Sequence, residues 1–377
     1  MARSQPDILI IGGGVIGLTT ALELALHRLR VLVADRQSVG QEASWAGAGM
    51  LPPGNVPDSP NPEARLRSFS HSLWPELTSR LHELTGCDNG YRICGSLLIA
   101  ENKQSAVKLA GQWTADHVAA RCITDADLKN SWPVLADQHT AAVWLPEQAQ
   151  VRNPWHLQAL KTACQQLKVE FLEHAAPVRL DQRQDRVEAV VIGTERFCPQ
   201  QVCVAAGAWT PTVLQQARVS LPIRPVRGQM VQLRSSLPLF SCLIESGRRY
   251  LVPRTDGLIL AGSTEEHTGF DKGNTVEGVA GLIEFACGIV PELRHQELVR
   301  CWSGLRPGSA DELPLLGQVP GARNLYVAAG HFRAGLQMSP GTARIMSALL
   351  RQEASPISLA GLDVGRFSNT SSAGTES

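Results

Sequence analysis

Three glycines and one acid carry the clearest chemical signal in this sequence. Gly12, Gly14 and Gly17 form G-x-G-x-x-G inside "ILIIGGGVIGLTTALELAL", and Asp35 follows eighteen residues after Gly17. The chemistry available to such a set is dinucleotide binding. Gly12 makes a tight turn, Gly14 lets the backbone approach a pyrophosphate, and Gly17 lets a helix pack closely on a strand. The helix start offers free N–H groups to phosphate, and the Asp35 carboxylate can accept from both hydroxyls of a ribose. Other chemistries lack their residues. No C-x-x-C pair, H-E-x-x-H or G-x-S-x-G occurs, so metal and serine-hydrolase readings have no support. Nine scattered cysteines, an odd number, suit reduced thiols in a cytoplasm-like compartment. Thirty-five basic residues balance thirty-five acidic ones without a recurring basic patch, so nucleic acid is not an expected partner.

The elements around the glycines must position them. Residues 8–11 read as a buried parallel strand, 18–27 as a helix and 31–34 as a second strand ending at Asp35. The same run could be taken for a membrane anchor or a signal peptide. A spanning helix needs about 20 apolar residues without charge, whereas this run contains Glu23 and three consecutive glycines. Arg3 is the only basic residue before the run, and a basic, bulky His27-Arg28-Leu29-Arg30 closes it, unlike a cleavage site. The expectation is a cytoplasmic protein with no membrane segment.

At 377 residues the chain has material for two domains. Helical spacing marks residues 64–85, 104–116, 125–130, 154–168 and 275–289. Residues 95–100, 142–145 and 169–172 read as strands, and 178–198 as a small meander. Residues 223–263 alternate as antiparallel strands, with a hairpin at Asp256-Gly257. "QVCVAAGAWT" (201–210) and "NLYVAAGHF" (324–332) are two more buried strands that run into glycine turns. Ser339 and Pro340 read as the cap and first position of a last helix. Strands starting near residues 8, 201 and 324 are expected to share one parallel sheet, with the antiparallel material inserted between them. Such a split dinucleotide domain suits a large flavin.

Four stretches, "IIGGGVIGLTTALELA", "ASWAGAGMLPP", "CWSGLRPGSADELPLLG" and "VAAGHFRAGLQMSPGTARIM", together with "YLVPR", resemble the amino-acid oxidase family of flavoproteins. That family contains D-amino-acid oxidase, sarcosine oxidase and glycine oxidase, and the resemblance is greatest to the glycine oxidases of the thiamine pathway. It covers residues 5–360. It implies an α/β fold: a Rossmann-like FAD-binding domain with an inserted antiparallel-sheet substrate domain. The expected division gives residues 1–85, 150–215 and 299–365 to the FAD-binding domain and 86–149 and 216–298 to the substrate domain. Residues 366–377 form a disordered tail.

The resemblance places non-covalent FAD against Gly12, Gly14, Val15, Ile16 and Gly17, with Asp35 and Arg36 on the ribose side. Ala43, Ser44, Ala48, Gly49 and Met50 form the flavin-side loop. Val178 would offer backbone groups to the adenine, Gly207 lies in the second glycine turn, and His331, Phe332, Arg333, Ala334, Gly335, Leu336 and Gln337 surround the flavin ring. The substrate carboxylate falls to Arg306, Arg333 and Tyr250, with Met50 beside them. Read on its own, an arginine in a turn is ordinarily solvated, Arg333 could close a salt bridge within its loop, and Tyr250 could simply pack in a sheet. The apolar neighbours of Arg306 permit burial, and a buried guanidinium needs a bidentate anion.

The implied activity is oxidative deamination of glycine and related small amines by hydride transfer to flavin. It gives an imine, then glyoxylate and ammonia, with dioxygen reduced to hydrogen peroxide. No catalytic side chain is required, because the cofactor does the chemistry. The implied partners are a thiazole synthase that takes the imine and three further copies of the chain in a homotetramer. A sarcosine or D-amino-acid oxidase or dehydrogenase is the rival reading, and a non-catalytic flavin scaffold a more distant one. Cys301 lies close to where sarcosine oxidases bond flavin covalently. Arg248 and Arg249 are either solvated or favour a bulkier or more acidic substrate than glycine.

Overall fold

The computed structural model describes residues 5–367. A six-stranded sheet runs in the order Leu315–Gln318, Leu325–Ala329, Gln201–Val204, Ile8–Ile11, Val31–Ala34, Glu170–Leu172. Ile8–Ile11 pairs in parallel with Val31–Ala34 on one side and Gln201–Val204 on the other, and Gln201–Val204 pairs in parallel with Leu325–Ala329. The three strands expected to share a sheet therefore lie side by side. Their unbroken apolar sequences follow from burial on both faces. Ile8 and Ile10 enter one core with the helices Val15–Leu26, Pro62–Thr85, Asn153–Gln166 and Gly335–Leu350. Leu9 and Ile11 enter another, under the meander of Val178–Arg183, Arg186–Ile192 and Glu195–Phe197.

An eight-stranded sheet forms the second layer, in the order Glu297–Ser309, Ile223–Arg234, Leu258–Gly262, Arg249–Pro253, Leu243–Ser246, Ser96–Ala100, Ala141–Leu145, Arg121–Thr124. It is antiparallel except where Leu243–Ser246 meets Ser96–Ala100. The helix Val276–Ile289 covers one face through Leu282, Ala286 and Ile289. The other face turns toward the six-stranded sheet and carries Met230, Tyr250 and Trp302.

Three expectations change. The boundary at residue 299 cuts through Glu297–Ser309, which pairs along Ile223–Arg234 from Ile223↔Ser309 to Arg234↔Glu297. This strand belongs to the eight-stranded sheet, so the chain returns to the first layer only after Ser309. The last helix starts at Gly335, with Ser339 and Pro340 inside it. Proline is tolerated there because the Ser339 hydroxyl donates to the Leu336 carbonyl (2.8 Å), which the missing Pro340 N–H leaves without its partner. The expected tail is ordered at its start, where Arg366 forks onto Asp311 (2.8 and 3.0 Å); residues 368–377 lie outside the described residues.

Candidate active site

A cavity of about 860 Å³ lies between the two sheets, and every site residue expected from the sequence except Gly17 lines it. Gly17 acts from beneath. A Cβ there would stand 1.9 Å from the Gly12 carbonyl oxygen, and one on Gly12, whose φ is +111°, 2.4 Å from that of Ala205. The glycines thus bring strand, turn and helix together. Asp35 closes this end. Its carboxylate accepts from the N–H groups of Gly13 (2.7 Å) and Gln37 (2.8 Å). Burial raises its pKa, and those two donors partly offset the effect. Arg36 pairs with Glu42 (2.9 Å) and lies 3.6 Å above the Trp209 ring. Trp209, on the cavity wall, escaped the sequence reading although it ends the "AAGAW" turn. Val178 also lines the wall, and its carbonyl accepts from the Gln216 amide (2.8 Å).

The middle of the cavity is bounded by the loop through Ala43, Ser44, Ala48 and Gly49. Distant side chains take up its carbonyls. Asn153 Nδ2 donates to Ser44 O (2.7 Å), Trp302 Nε1 to Ala46 O (3.0 Å) and Arg254 Nη2 to Ala48 O (2.7 Å). Arg254 is half-buried and also donates to Gln150 Oε1 (2.6 Å) and Val151 O (3.1 Å). These three donors come from a helix, from the strand Glu297–Ser309 and from the residue just after the strand Arg249–Pro253. The sequence reading missed all three, because no local spacing links them to the loop. Arg254→Ala is expected to leave three acceptors short of a donor and to lower flavin occupancy; flavin-to-protein absorbance after dialysis measures it.

Residues 331–337 form the opposite wall. The helix Gly335–Leu350 begins here with no side-chain cap, so the N–H groups of Gly335, Leu336 and Gln337 present a positive helix end to the cavity. His331 is buried, its Nε2 lies 2.9 Å from Thr342 Oγ1, and burial pulls its pKa down to about 3. It is therefore neutral at physiological pH. The native state binds fewer protons here than the unfolded chain between pH 6.5 and about 3, so this contribution to stability is lost as pH falls through that window. Melting temperatures are expected to show wild type losing stability relative to His331→Gln as pH is lowered below 6.5.

Arg306 stands at the far end. Glu297–Ser309 aims Trp302, Gly304 and Arg306 to one face by its two-residue alternation. The guanidinium donates to Ser263 Oγ (2.6 Å) and Thr264 O (3.1 Å) and lies over Gly228, where a Cβ would come within 2.2 Å of it. Burial lowers its pKa and the neighbouring Tyr250 raises it. Among the described residues it has no carboxylate in salt-bridge contact; the nearby Glu266 is held by Arg227. Tyr250 Oη also reaches Met230 Sδ (3.5 Å). Arg333 lines the same end, but its guanidinium is paired with Glu265, whose other oxygen binds Arg248 (2.8 Å). Arg248 is therefore paired as well as exposed, and Arg249 turns away to the Gly281 carbonyl (2.8 Å). Cys301 points to the face opposite Trp302, is exposed and does not line the cavity.

The cavity sits in the upper part of the range of ligand pockets, about 300–1,000 Å³. It combines a glycine turn, a ribose-type acid and a positive helix end. These are the donors and shapes that a flavin dinucleotide needs. The family model described as DAO, FAD dependent oxidoreductase, matches residues 7–349. The chain belongs to this family of FAD-dependent oxidoreductases. It is 34% identical to the glycine oxidase of Pseudomonas putida over 349 residues, 91% of this chain and 94% of that protein. It is 34% identical over 371 residues to the bifunctional protein ThiO/ThiG of Trichormus variabilis, covering 97% of this chain and 56% of that protein. The crystal structure of glycine oxidase from Geobacillus kaustophilus superposes with a TM-score of 0.90 at 30% identity, covering 97% of this chain and 99% of that one. As in other FAD-dependent oxidoreductases of this family, FAD is the cofactor, and the glycine turn, Asp35, the 43–50 loop and the 331–337 wall line the cavity and would hold it there.

Proposed function

We propose that this FAD-dependent oxidoreductase oxidises glycine and related small amines with dioxygen and water, giving glyoxylate, ammonia and hydrogen peroxide. The observation that carries this reading is Arg306, a half-buried guanidinium facing the cavity without an ionic partner among the described residues. A planar cation in that position selects a carboxylate, which it can bind at two points. Tyr250 adds a hydroxyl beside it, and Met50 and Met230 close the pocket with apolar surface. FAD, when bound, supplies the two-electron acceptor. The chain's own part is to hold the amino acid by its carboxylate and to keep its Cα–H in one orientation. His331 is neutral and bonded to Thr342. No proton-accepting side chain is needed if the substrate enters with its amine unprotonated.

The test is anaerobic mixing with glycine, sarcosine and D-amino acids. Glycine should bleach the flavin, and readmitted oxygen should restore it with one peroxide per glycine. Bleaching without peroxide would make the chain a dehydrogenase with another acceptor. No bleaching by any of these amines would remove the amino-acid reading.

FAD is held without a covalent bond in this reading, because Cys301 faces away from the cavity. Acid precipitation is expected to leave the yellow colour in the supernatant; colour retained by the pellet would point to a covalent link. The fused ThiO/ThiG relatives support a thiazole synthase as the partner that takes the imine product. Among the described residues no helix is long and apolar enough to cross a membrane, which accords with a cytoplasmic site of action. A homotetramer remains part of the proposal, and light scattering coupled to size exclusion decides it.

A further inference from the structure

We infer that residues 266–275 form a clasp that retains FAD at the ribose end of the cavity, pinned by Arg227 and Gln229 and latched on the cradle by two contacts, Phe270 on Trp209 and Lys272 on Glu42. Residues 263–275 join the strand Leu258–Gly262 to the helix Val276–Ile289 without a helix or strand of their own. Irregular segments of about this length, 12–15 residues, are uncommon in compact domains and ordinarily functional. This one is tied down from the strand Ile223–Arg234. Gly228 and Met230 line the cavity, so the two-residue alternation turns Arg227 and Gln229 to the opposite face. There the Arg227 side chain is 5% exposed. Its Nε and Nη2 donate to Glu266 Oε2 (2.7 Å for Nε), and Nη1 donates to Asp271 Oδ2 (2.8 Å) and the Gly273 carbonyl (2.8 Å). The Gln229 amide donates to Glu266 Oε1 (2.8 Å) and Thr275 Oγ1 (3.0 Å), and its oxygen accepts from the Thr275 N–H (2.8 Å). A buried guanidinium and a buried amide thus serve a segment whose residues from His267 to Thr275 are exposed.

The segment passes from that face round the edge of the eight-stranded sheet. Glu297–Ser309 is the edge strand, and its Ser303 hydroxyl donates to the Lys272 carbonyl (2.6 Å). Past the edge the segment meets the other layer. Phe270 packs on Trp209 with ring centroids 5.3 Å apart, and Lys272 Nζ lies 3.2 Å from each oxygen of Glu42. Trp209 and Glu42 in turn hold Arg36, which lies over the ring of the first and pairs with the carboxylate of the second. Arg36, Glu42 and Trp209 all line the cavity, and Arg36 adjoins Asp35. Neither Phe270 nor Lys272 lines it. They are positioning residues: they back the ribose-end wall from outside, and they reach it from the opposite layer. Phe270 is 50% exposed and the Lys272 side chain 45%, so both latches can open without unfolding either sheet.

The test is the rate at which the holoenzyme loses FAD after dilution, read as flavin fluorescence in successive ultrafiltrates. Phe270→Ala should speed the loss about two- to tenfold and Lys272→Ala about two- to fivefold, the sizes of a ring contact and of an exposed ion pair. Both are surface substitutions that leave the fold intact. Arg227→Met unpins the whole segment and should speed the loss about tenfold or more. Raising sodium chloride from about 0.05 to about 0.5 M should accelerate the loss more in wild type than in Lys272→Ala, because salt screens an exposed pair. Lys129→Ala removes another exposed pair, with Asp137 (3.1 Å), away from the clasp and should leave the rate unchanged. Unchanged loss in both Phe270→Ala and Lys272→Ala, a salt response that Lys272→Ala does not reduce, or an equal acceleration by Lys129→Ala overturns the inference.

Discussion

Arg306→Ala is expected to weaken glycine binding by roughly 30- to 4,000-fold. Removing one partner of a desolvated, hydrogen-bonded charge pair costs about 2–5 kcal/mol, and each 1.4 kcal/mol is a factor of ten. The guanidinium is held by Ser263 Oγ and Thr264 O and roofed by Gly228, so it is oriented before the carboxylate arrives. Arg306→Lys should recover little, because an ammonium lacks the planar two-point contact and cannot reach both fixed acceptors. Flavin content should stay near the wild-type value, since the glycine turn and its ribose-side acid lie at the other end of the cavity. Rapid-mixing flavin reduction across a range of glycine concentrations separates affinity from rate. An alanine variant with unchanged affinity would move the carboxylate site to Arg333, which would then have to release Glu265.

Gly17→Ala is the second large effect. It adds a single methyl, yet that methyl would stand 1.9 Å from the Gly12 carbonyl oxygen. The helix Val15–Leu26 must then retreat from the strand Ile8–Ile11, and the turn between them loses its shape. Overpacking of this kind costs about 1–3 kcal/mol. If all of it falls on the holo state, FAD affinity drops by up to roughly 150-fold. The expected product is a protein that purifies with little or no yellow colour. Gly14→Ala is the informative contrast: its Cβ would meet only Ser44 Oγ, at 3.0 Å. That chain should keep its fold, and any loss of flavin would report on the approach of the pyrophosphate alone. A Gly17→Ala protein with full flavin content would show that the turn does not set the cradle.

Much of this fold is legible in the sequence. The alternation of buried runs with glycine turns marks Ile8–Ile11, Gln201–Val204 and Leu325–Ala329, because a sheet covered on both faces demands unbroken apolar strands. What local pattern cannot carry is any contact made between distant segments. Arg254, Asn153 and Trp302 each serve a loop more than a hundred residues away in sequence, and nothing near them announces it. The Arg333–Glu265 pair is hidden for the same reason; two charged residues 68 positions apart have no spacing rule. The expected boundary at residue 299 falls inside the strand Glu297–Ser309 because Gly304, Pro307 and Gly308 favour a turn, whereas pairing with Ile223–Arg234 holds the segment extended. Ser339-Pro340 carried the residue types of a helix start. The true start at Gly335 has no capping side chain at all, which leaves it open toward the cavity.

The six-stranded sheet also has a history in time. Its central strand, Ile8–Ile11, is made long before its neighbour Gln201–Val204, which comes nearly 200 residues later, and Leu325–Ala329 comes later still. At about 5–20 residues per second, the first strand waits on the order of 15–65 s for the sheet's other end. Until Gln201–Val204 arrives, the chain carries an apolar strand with one partnered edge at most. The cofactor cradle cannot close until the 331–337 wall has been made, so FAD enters only after that segment. A chain broken off before Leu325–Ala329 would emerge unable to retain flavin, however well its first fifty residues match the fingerprint.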